Sequence, residues 1–233
     1  MQYNEDVKLN VFLSIIDYRL SKNSFSRPQE QVRLLVKKLH GLISGKLDTL
    51  IDIGGGWPPQ YKPLLFPLTK KYINLEIKKG IGVDLVGSVY DIPMPKLSVD
   101  IVTLFMVLEH LSEPKAALVE VARVLKKGGY VAITTVQYWH THNHPSDYLR
   151  YTKAGLEYYC KEAGLQVVDI WSQGGPFLVI FHAMELNMTG NWRTIFSILF
   201  YRLFDWLDWV VYKHNDTREH SDSVGWSLIA KKL

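Results

Sequence analysis

Residues 50–57 read LIDIGGGW, an apolar run that carries Asp52 near its end and leads into Gly54, Gly55 and Gly56. Glycine lacks a β-carbon, so it adopts positive φ and lets a ligand pack directly on main-chain amides. The stretch therefore predicts a buried strand followed by a turn that binds a cofactor.

The glycine spacing separates two classes of cofactor site. A dinucleotide fingerprint needs glycines at its first, third and sixth positions, followed by a helix whose N-terminus faces a pyrophosphate. Counting from Gly54, the sixth position is Pro59, and more prolines interrupt the segment that would form this helix: Pro58, Pro63 and Pro67. The spacing therefore favours a cofactor without phosphate groups.

Composition bounds the class of protein. The chain has 233 residues, 47% of them hydrophobic, which is enough for one sizeable domain with its own core. The net charge of +4 comes from scattered lysines and arginines, so nucleic-acid binding is disfavoured. Cys160 is the only cysteine, which excludes an internal disulfide and suits a reducing compartment. A polar N-terminus unlike a secretory signal adds to the expectation of a cytoplasmic protein.

Strand and helix patterns alternate along most of the chain, which predicts an α/β fold with a doubly wound, mostly parallel sheet. Helices are predicted at residues 7–20 and 28–43, from a Ser112 cap to Gly128 and Gly129, and from a Thr152 cap to Ala163. Strands are predicted at residues 47–53, 71–77, 82–86, 99–107, 130–136, 165–171 and 224–231. As a single domain the chain would comprise N-terminal helices (1–46), a cofactor-binding core (47–175), a helical insertion or lid (176–223) and a last strand (224–233).

Several of these segments, taken in order, resemble one family. They are IDIGGG at residues 51–56, an acid at the end of the second strand, VGSVYDIP at 86–93, VDIVTLFMVLEHL at 99–111 and EVARVLKKGGYVAIT at 120–134. The ordered set is similar to the class I S-adenosylmethionine-dependent methyltransferases, in particular the type 11 methyltransferase domain group. The resemblance implies a Rossmann-like sheet of seven strands, the last one antiparallel, and S-adenosyl-L-methionine as the cofactor.

The resemblance also implies roles for single residues at the cofactor. Gly54, Gly55 and Gly56, with Asp52 beneath them, would hold its methionine portion. Glu76 would accept hydrogen bonds from both ribose hydroxyls, since a carboxylate offers two oxygens. Further contacts would come from Ser88 and Val89 at the adenine, where relatives often carry an acid instead of serine, and from Met106 near the sulfur. His110 is interpreted as a framework residue, with a general base as the alternative.

Residues 137–152, QYWHTHNHPSDYLRYT, follow the fifth strand and are predicted to meet the substrate. His144 or His140 would deprotonate an attacking hydroxyl. Arg150 would orient an acidic acceptor or pair with Asp147 to hold the loop. Alternating histidines suggest a metal site, but without a CxxC or HExxH companion no metal is predicted.

Residues 192–212 form the other unusual segment. On a helix, five residues would form a narrow polar stripe: Arg193, Ser197, Tyr201, Asp205 and Asp208. The rest of the helix would be a wide apolar arc that another surface must cover. A lid or core position, a homodimer interface and a peripheral membrane contact all remain open.

The sequence as a whole predicts methyl transfer to a small-molecule acceptor, a hydroxyl of a sugar or glycan intermediate. One alternative is a methyltransferase for a lipid or quinone at the membrane surface. Another is a catalytically silent cofactor-binding module.

Overall fold

The structure is a computed structural model that describes residues 28–142, 146–212 and 222–233. Its helices are α1 (Pro28–Leu42), α2 (Lys62–Leu65), α3 (Pro114–Val124), α4 (Lys153–Glu162), α5 (Pro176–Leu186) and α6 (Gly190–Tyr212). Its strands are β1 (Leu47–Ile53), β2 (Thr69–Glu76), β3 (Leu85–Val86), β4 (Val99–Phe105), β5 (Leu125–Val136), β6 (Leu165–Ser172) and β7 (Gly225–Lys232). Short 3-10 turns lie at Phe66–Leu68 and Leu108–His110. The helix predicted at residues 7–20 lies outside the described residues.

The strands form one seven-stranded sheet in the order β3-β2-β1-β4-β5-β7-β6. Neighbouring strands from β3 through β5 are parallel, and β7 runs antiparallel to β5. The predicted doubly wound, mostly parallel fold is therefore confirmed. Such sheets bind ligands beyond the carboxyl ends of their strands, where the strand order reverses.

Neighbouring residues of the central strands enter separate cores on the two faces of the sheet. Leu50 of β1 joins one cluster with Leu35 and Leu39 of α1, whereas Ile51 joins another with Leu118 of α3 and Leu156 of α4. Side chains alternate along a strand, so a largely apolar strand such as β4, whose polar residues are Asp100 and Thr103, fills both cores. Because β1, β2 and β4 are parallel, their carboxyl ends lie together at one end of the packed sheet.

Two predicted boundaries around α3 are wrong. Its N-cap residue is Glu113, which makes no side-chain capping bond, rather than Ser112. The helix ends at Val124 instead of at the glycines, because Leu125 already pairs with Val99 of β4. Gly128, at φ +79°, lies within β5, whose register with β4 shifts at this point.

The described residues divide into two compact units. The sheet unit comprises residues 32–137, 141–142, 146–171 and 225–233. The helical unit comprises 28–31, 138–140, 172–212 and 222–224. The predicted single-domain division of the chain stays a prediction.

The helical unit is organised by α5 and α6. Phe181 of α5 contacts Tyr201 of α6 edge to face, with ring centroids 5.5 Å apart, and both are buried with Leu178 and Val224. The Asp208 carboxylate accepts hydrogen bonds from the backbone N–H groups of Gly175, Phe177 and Leu178 at 2.9 to 3.0 Å, which caps the start of α5. These contacts fix which side of α6 faces α5.

That side of α6 is its polar stripe. Ser197, Tyr201 and Asp208 are buried, and Phe196 and Phe204 pack against the same cluster, whereas much of the remaining apolar arc is exposed. Among the described residues, no helix is long and apolar enough to cross a membrane.

Candidate active site

A cavity of about 620 Å³ opens at the carboxyl ends of β1, β2 and β4 in the sheet unit. This volume is in the range of small-molecule and cofactor sites. Its lining residues come from these three strand ends, the loops that follow them and the loop after β3: Ile53, Gly54, Gly56, Trp57, Leu75, Glu76, Ile77, Lys78, Ser88, Val89, Tyr90, Met106, Val107, His110 and Leu111. Six of the eight predicted cofactor residues are in this lining.

The glycine turn after β1 forms one wall. Gly54 and Gly56 have φ of +70° and +88°, the left-handed region that glycine adopts without strain. A β-carbon on Gly54 would lie 2.7 Å from Cγ2 of Val107. Gly55 packs away from the cavity, since a β-carbon there would meet the carboxylate of Asp52 at 2.5 Å. The turn is therefore shaped by both backbone conformation and close packing.

Asp52 lies beneath the turn and outside the cavity lining. It is buried, and its two oxygens accept hydrogen bonds from Tyr72 Oη at 2.7 Å and Thr103 Oγ1 at 2.6 Å. Burial raises the pKa of Asp52 to about 6, although both hydrogen bonds act in the opposite direction. The Asp52 carboxylate thus packs against the glycine turn, and its burial there disfavours the charged form.

An Asp52→Asn variant should change how stability depends on pH. Because the folded pKa of about 6 exceeds the ordinary aspartate pKa of 3.8, the folded state binds the extra proton between these values, and stability falls as pH rises through this window. The slope from this one group is at most about 1.4 kcal/mol per pH unit. The wild-type minus variant difference in unfolding free energy should show this fall between about pH 4 and 6, measured by urea titration. A flat difference would contradict the burial effect.

Glu76 ends β2 and lines the cavity. Its Oε1 accepts a hydrogen bond of 2.7 Å from the backbone N–H of Gly56, so strand end and glycine turn are tied together. A carboxylate has about four acceptor positions, so this bond leaves capacity for the two hydroxyls of a ribose. Asn74 stabilises the same turn by donating to the carbonyl of Gly56 at 2.8 Å.

Ser88 and Val89 line the cavity in the loop after β3. The Ser88 hydroxyl accepts a hydrogen bond from the Tyr90 N–H at 3.1 Å, and Val89 is buried in the core. Met106 follows β4 at φ +56°, held by its N–H on the carbonyl of Thr134 at 2.9 Å. A non-glycine residue in this region marks a position that its surroundings determine.

Sequence reasoning missed two aromatic rings of the lining. Trp57 directly follows the three glycines, and Tyr90 directly follows Val89; they are 54% and 40% exposed. The available signal in the sequence was their position directly beside predicted cofactor residues. Their faces offer stacking surfaces for a planar base.

His110 also lines the cavity, although the sequence favoured a framework role. Its Nδ1 lies 2.6 Å from the carbonyl oxygen of Ser146. A carbonyl only accepts, so Nδ1 carries the proton and Nε2 of the neutral ring is the nitrogen that can accept one. The His142 ring stands edge-on to His110, with centroids 4.9 Å apart.

Glu109 completes a cluster with these two histidines. Its Oε2 accepts a hydrogen bond from Thr135 at 2.9 Å, and burial raises the pKa of the carboxyl. Among the described residues, Oε1 has no hydrogen-bond partner. One ligand atom from each of Glu109, His110 and His142 lies within 4.8 Å of the others, so the group has the composition of a metal site as well as of a proton-transfer network. The predicted absence of a metal stays a prediction.

The predicted substrate loop is only partly described. His144 lies outside the described residues, and His140 belongs to the helical unit, where its ring centroid is 5.3 Å from that of Trp139. Asp147 accepts two hydrogen bonds from the Arg150 guanidinium, which lowers the pKa of its carboxyl. Asp147 also accepts the His142 N–H at 2.9 Å. The Asp147–Arg150 pair corresponds to the alternative in which Arg150 holds the loop. Direct catalytic roles for His140, His144, Asp147 and Arg150 stay predictions.

Sheet order, an antiparallel last strand and a glycine turn beneath the cavity define the class I, Rossmann-like methyltransferase fold. Residues 68–133 match the family model described as the methyltransferase domain. Over 45 residues it is 56% identical to an uncharacterized methyltransferase from Schizosaccharomyces pombe; this stretch is 19% of the chain and 16% of the relative.

Solved structures agree on the fold. The [4+2]-cyclase SpnF superposes with a TM-score of 0.57 at 17% identity, covering 86% of this chain and 81% of the cyclase. The 1,6-didemethyltoxoflavin-N1-methyltransferase of Burkholderia thailandensis, solved with 1,6-didemethyltoxoflavin and S-adenosylhomocysteine, superposes with a TM-score of 0.56 at 13% identity, covering 100% and 89%. The methyl donor of this family is S-adenosylmethionine. One fold thus carries different chemistries.

Proposed function

We propose that this protein transfers the methyl group of S-adenosylmethionine to a small-molecule acceptor. The observation that carries the proposal is the Glu76 carboxylate, held by the glycine turn at the edge of the cavity beyond β2. The matched methyltransferase domain, residues 68–133, includes both Glu76 and the loop after β3.

The cofactor supplies an activated methyl group on a sulfonium. Gly54 and Gly56 would lie against its methionine portion, Glu76 would bind the ribose hydroxyls, and Met106 would line the sulfur. Ser88 and Val89 would meet the adenine. Serine can accept or donate one hydrogen bond there without the charge assistance of an acid.

The chain's own residues then align the acceptor and remove its proton. Alignment of nucleophile, methyl and sulfur supplies up to ~7–11 kcal/mol of rate acceleration. Nε2 of His110 would take the proton of an acceptor hydroxyl, because Nδ1 is committed to Ser146 and the ring lines the cavity. The Asp147–Arg150 pair would position His142 beside it.

A Glu76→Ala variant should bind S-adenosylmethionine roughly 1.5–3 kcal/mol more weakly, since hydrogen bonds to a charged group are lost. Glu76→Gln retains an oxygen for the Gly56 N–H and should lose less. Calorimetry measures both, with Glu162→Ala, which removes a surface acid paired to Lys115, as the control. Equal affinity in the wild type and the three variants would remove Glu76 from the site.

The acceptor we propose is a hydroxyl of a sugar or glycan intermediate, supported by the His110 imidazole in the cavity lining, the His142 ring beside it and the predicted substrate loop. A lipid or quinone acceptor at a membrane surface is the second candidate, favoured by the exposed apolar face of α6. A cofactor-binding module without methyl transfer is the third, favoured by Ser88 and by the cyclase that shares the fold. A cytoplasmic location stays a prediction.

The experiment that separates these candidates is a labelled-methyl screen. Protein and S-adenosylmethionine carrying a labelled methyl group are incubated with sugar, lipid and RNA fractions, and each fraction is assayed for label. We expect label in the sugar fraction. Label in the lipid fraction supports the second candidate, and cofactor binding without label in any fraction supports the third.

A further inference from the structure

The solvent-facing side of α6 is apolar along almost its whole length. Its five positions at spacings of seven, four, three and four residues fall within about 60° of the helix circumference. They are Trp192, Leu199, Leu203, Trp206 and Val210, with exposed fractions between 38% and 75%. Their span of roughly 18 residues is about 27 Å long. We refer to these five residues as the apolar stripe.

The orientation of the stripe is fixed by polar contacts on the opposite side of α6. Asp208 caps α5, as described above, and Ser197 donates a hydrogen bond of 2.6 Å to Glu185 of α5. Turning α6 over would leave these buried groups without their partners, which is unfavourable. The outward apolar side is therefore a property of the folded helix pair.

Helix α5 also carries exposed apolar side chains. Ile180, Met184 and Leu186 are between 38% and 50% exposed. An apolar surface as long as the stripe of α6 marks an interaction site rather than ordinary surface. A partner should therefore cover it.

The charges of the two helices are sorted by sign. The acidic side chains point inward: Asp208 is buried and Asp205 is half-buried. The Glu185 carboxylate accepts the hydrogen bond from Ser197, and its Oε2 lies 3.3 Å from Nδ1 of His182. Both arginines are exposed, and Arg193 lies 3.6 Å from Glu185. Arg202 places its positive charge beside the apolar stripe, which complements an anionic lipid surface.

We propose that α5 and α6 dock on the surface of an anionic lipid bilayer, with the apolar stripe inserted at the level of the headgroups. Tryptophans at the start and towards the end of α6 suit this depth: Trp192, Trp206 and Trp209. The helix lies on the bilayer, because only one side of it is apolar. This inference goes beyond the proposed methyl transfer and does not require it.

A second copy of the chain fits the surface less well. Arg202 flanks the middle of the stripe, so a twofold contact through it would bring the Arg202 side chains of two copies together. Like charges at close range oppose such a contact.

Vesicle flotation tests the proposal on the full chain. Vesicles of phosphatidylcholine alone are compared with vesicles that contain added phosphatidylglycerol. The wild type should float with the anionic vesicles, and a Leu199→Ser, Leu203→Ser, Trp206→Ser variant should bind them at least about tenfold more weakly. Arg202→Gln should weaken binding roughly fivefold, and only to anionic vesicles.

The matched control replaces three exposed apolar residues of the sheet unit, as Val119→Ser, Tyr158→Ser, Val168→Ser, and should float like the wild type. Circular dichroism and S-adenosylhomocysteine binding verify that every variant is folded. Absence of wild-type flotation overturns the proposal, as does equal loss in the control. Sedimentation that shows a wild-type dimer dissociated by the stripe variant, without vesicle binding, overturns it in favour of a second copy.

Discussion

A His110→Ala variant is expected to lose about 10²- to 10⁴-fold in the rate of methyl transfer while it retains S-adenosylmethionine affinity within a few-fold. The reason is geometric: the Ser146 carbonyl fixes the proton on Nδ1 and leaves Nε2 to accept the proton of the acceptor. Single-turnover transfer to the acceptor found in the labelled-methyl screen measures the rate, and calorimetry measures the affinity. Added imidazole should restore part of the rate.

The control is His40→Ala, which removes an exposed histidine of α1. It should leave rate and affinity unchanged. The same assay with a metal chelator added tests whether Glu109, His110 and His142 bind a metal ion instead. We expect the chelator to leave the rate unchanged. Transfer at the wild-type rate in His110→Ala would exclude the base, and loss of activity on chelation would assign the cluster to a metal.

A Gly54→Ala variant should lose about 2–5 kcal/mol of stability, and its affinity for S-adenosylmethionine should fall with it. Two effects add: an alanine at φ +70° costs about 1–2 kcal/mol, and a β-carbon 2.7 Å from Cγ2 of Val107 costs about 1–3 kcal/mol of overpacking. Val107 lines the cavity, so its displacement changes the site itself. Urea titration and calorimetry measure the two losses.

Gly45→Ala is the matched control, because Gly45 has a similar φ of +72°, yet a β-carbon there would meet no described atom within 4 Å. It should show the backbone cost alone and normal cofactor affinity. Equal destabilisation of the two variants would mean that the close approach to Val107 contributes nothing.

Local pattern was sufficient for most strands of the sheet. The prediction of residues 47–53 for β1 is confirmed at both ends, because an apolar run closed by a glycine turn has both of its limits in the local sequence. The start of β5 is predicted at Tyr130, but the strand begins five residues earlier, at Leu125. Gly128 and Gly129 are typical of a helix end, whereas the real start at Leu125 depends on its pairing with Val99, a contact between distant parts of the chain.

The candidate site shows the same division. The residues that ordered motifs identified do line the cavity, among them Gly54, Glu76 and Met106. The sequence does not show which nitrogen of His110 carries the proton, because the carbonyl that fixes its tautomer belongs to Ser146, 36 residues away. The sequence named the polar groups of the loop but not how Asp147 and Arg150 satisfy each other.

Helix α6 shows what periodicity leaves open. The pattern separates a polar stripe from an apolar arc, and the usual expectation is that the apolar side faces the protein. Here the polar side does so, because Glu185 and the start of α5 supply its hydrogen-bond partners. Those partners come from another helix, which the periodicity of α6 alone does not show.

The central claim is that the cavity beyond β1, β2 and β4 holds S-adenosylmethionine, and calorimetry on the folded protein tests it most directly. We predict saturable binding of S-adenosylmethionine and of S-adenosylhomocysteine with one site per chain, weakened by Glu76→Ala and unchanged by Glu162→Ala. Absence of heat with either compound, for protein whose circular dichroism shows it to be folded, would contradict the account.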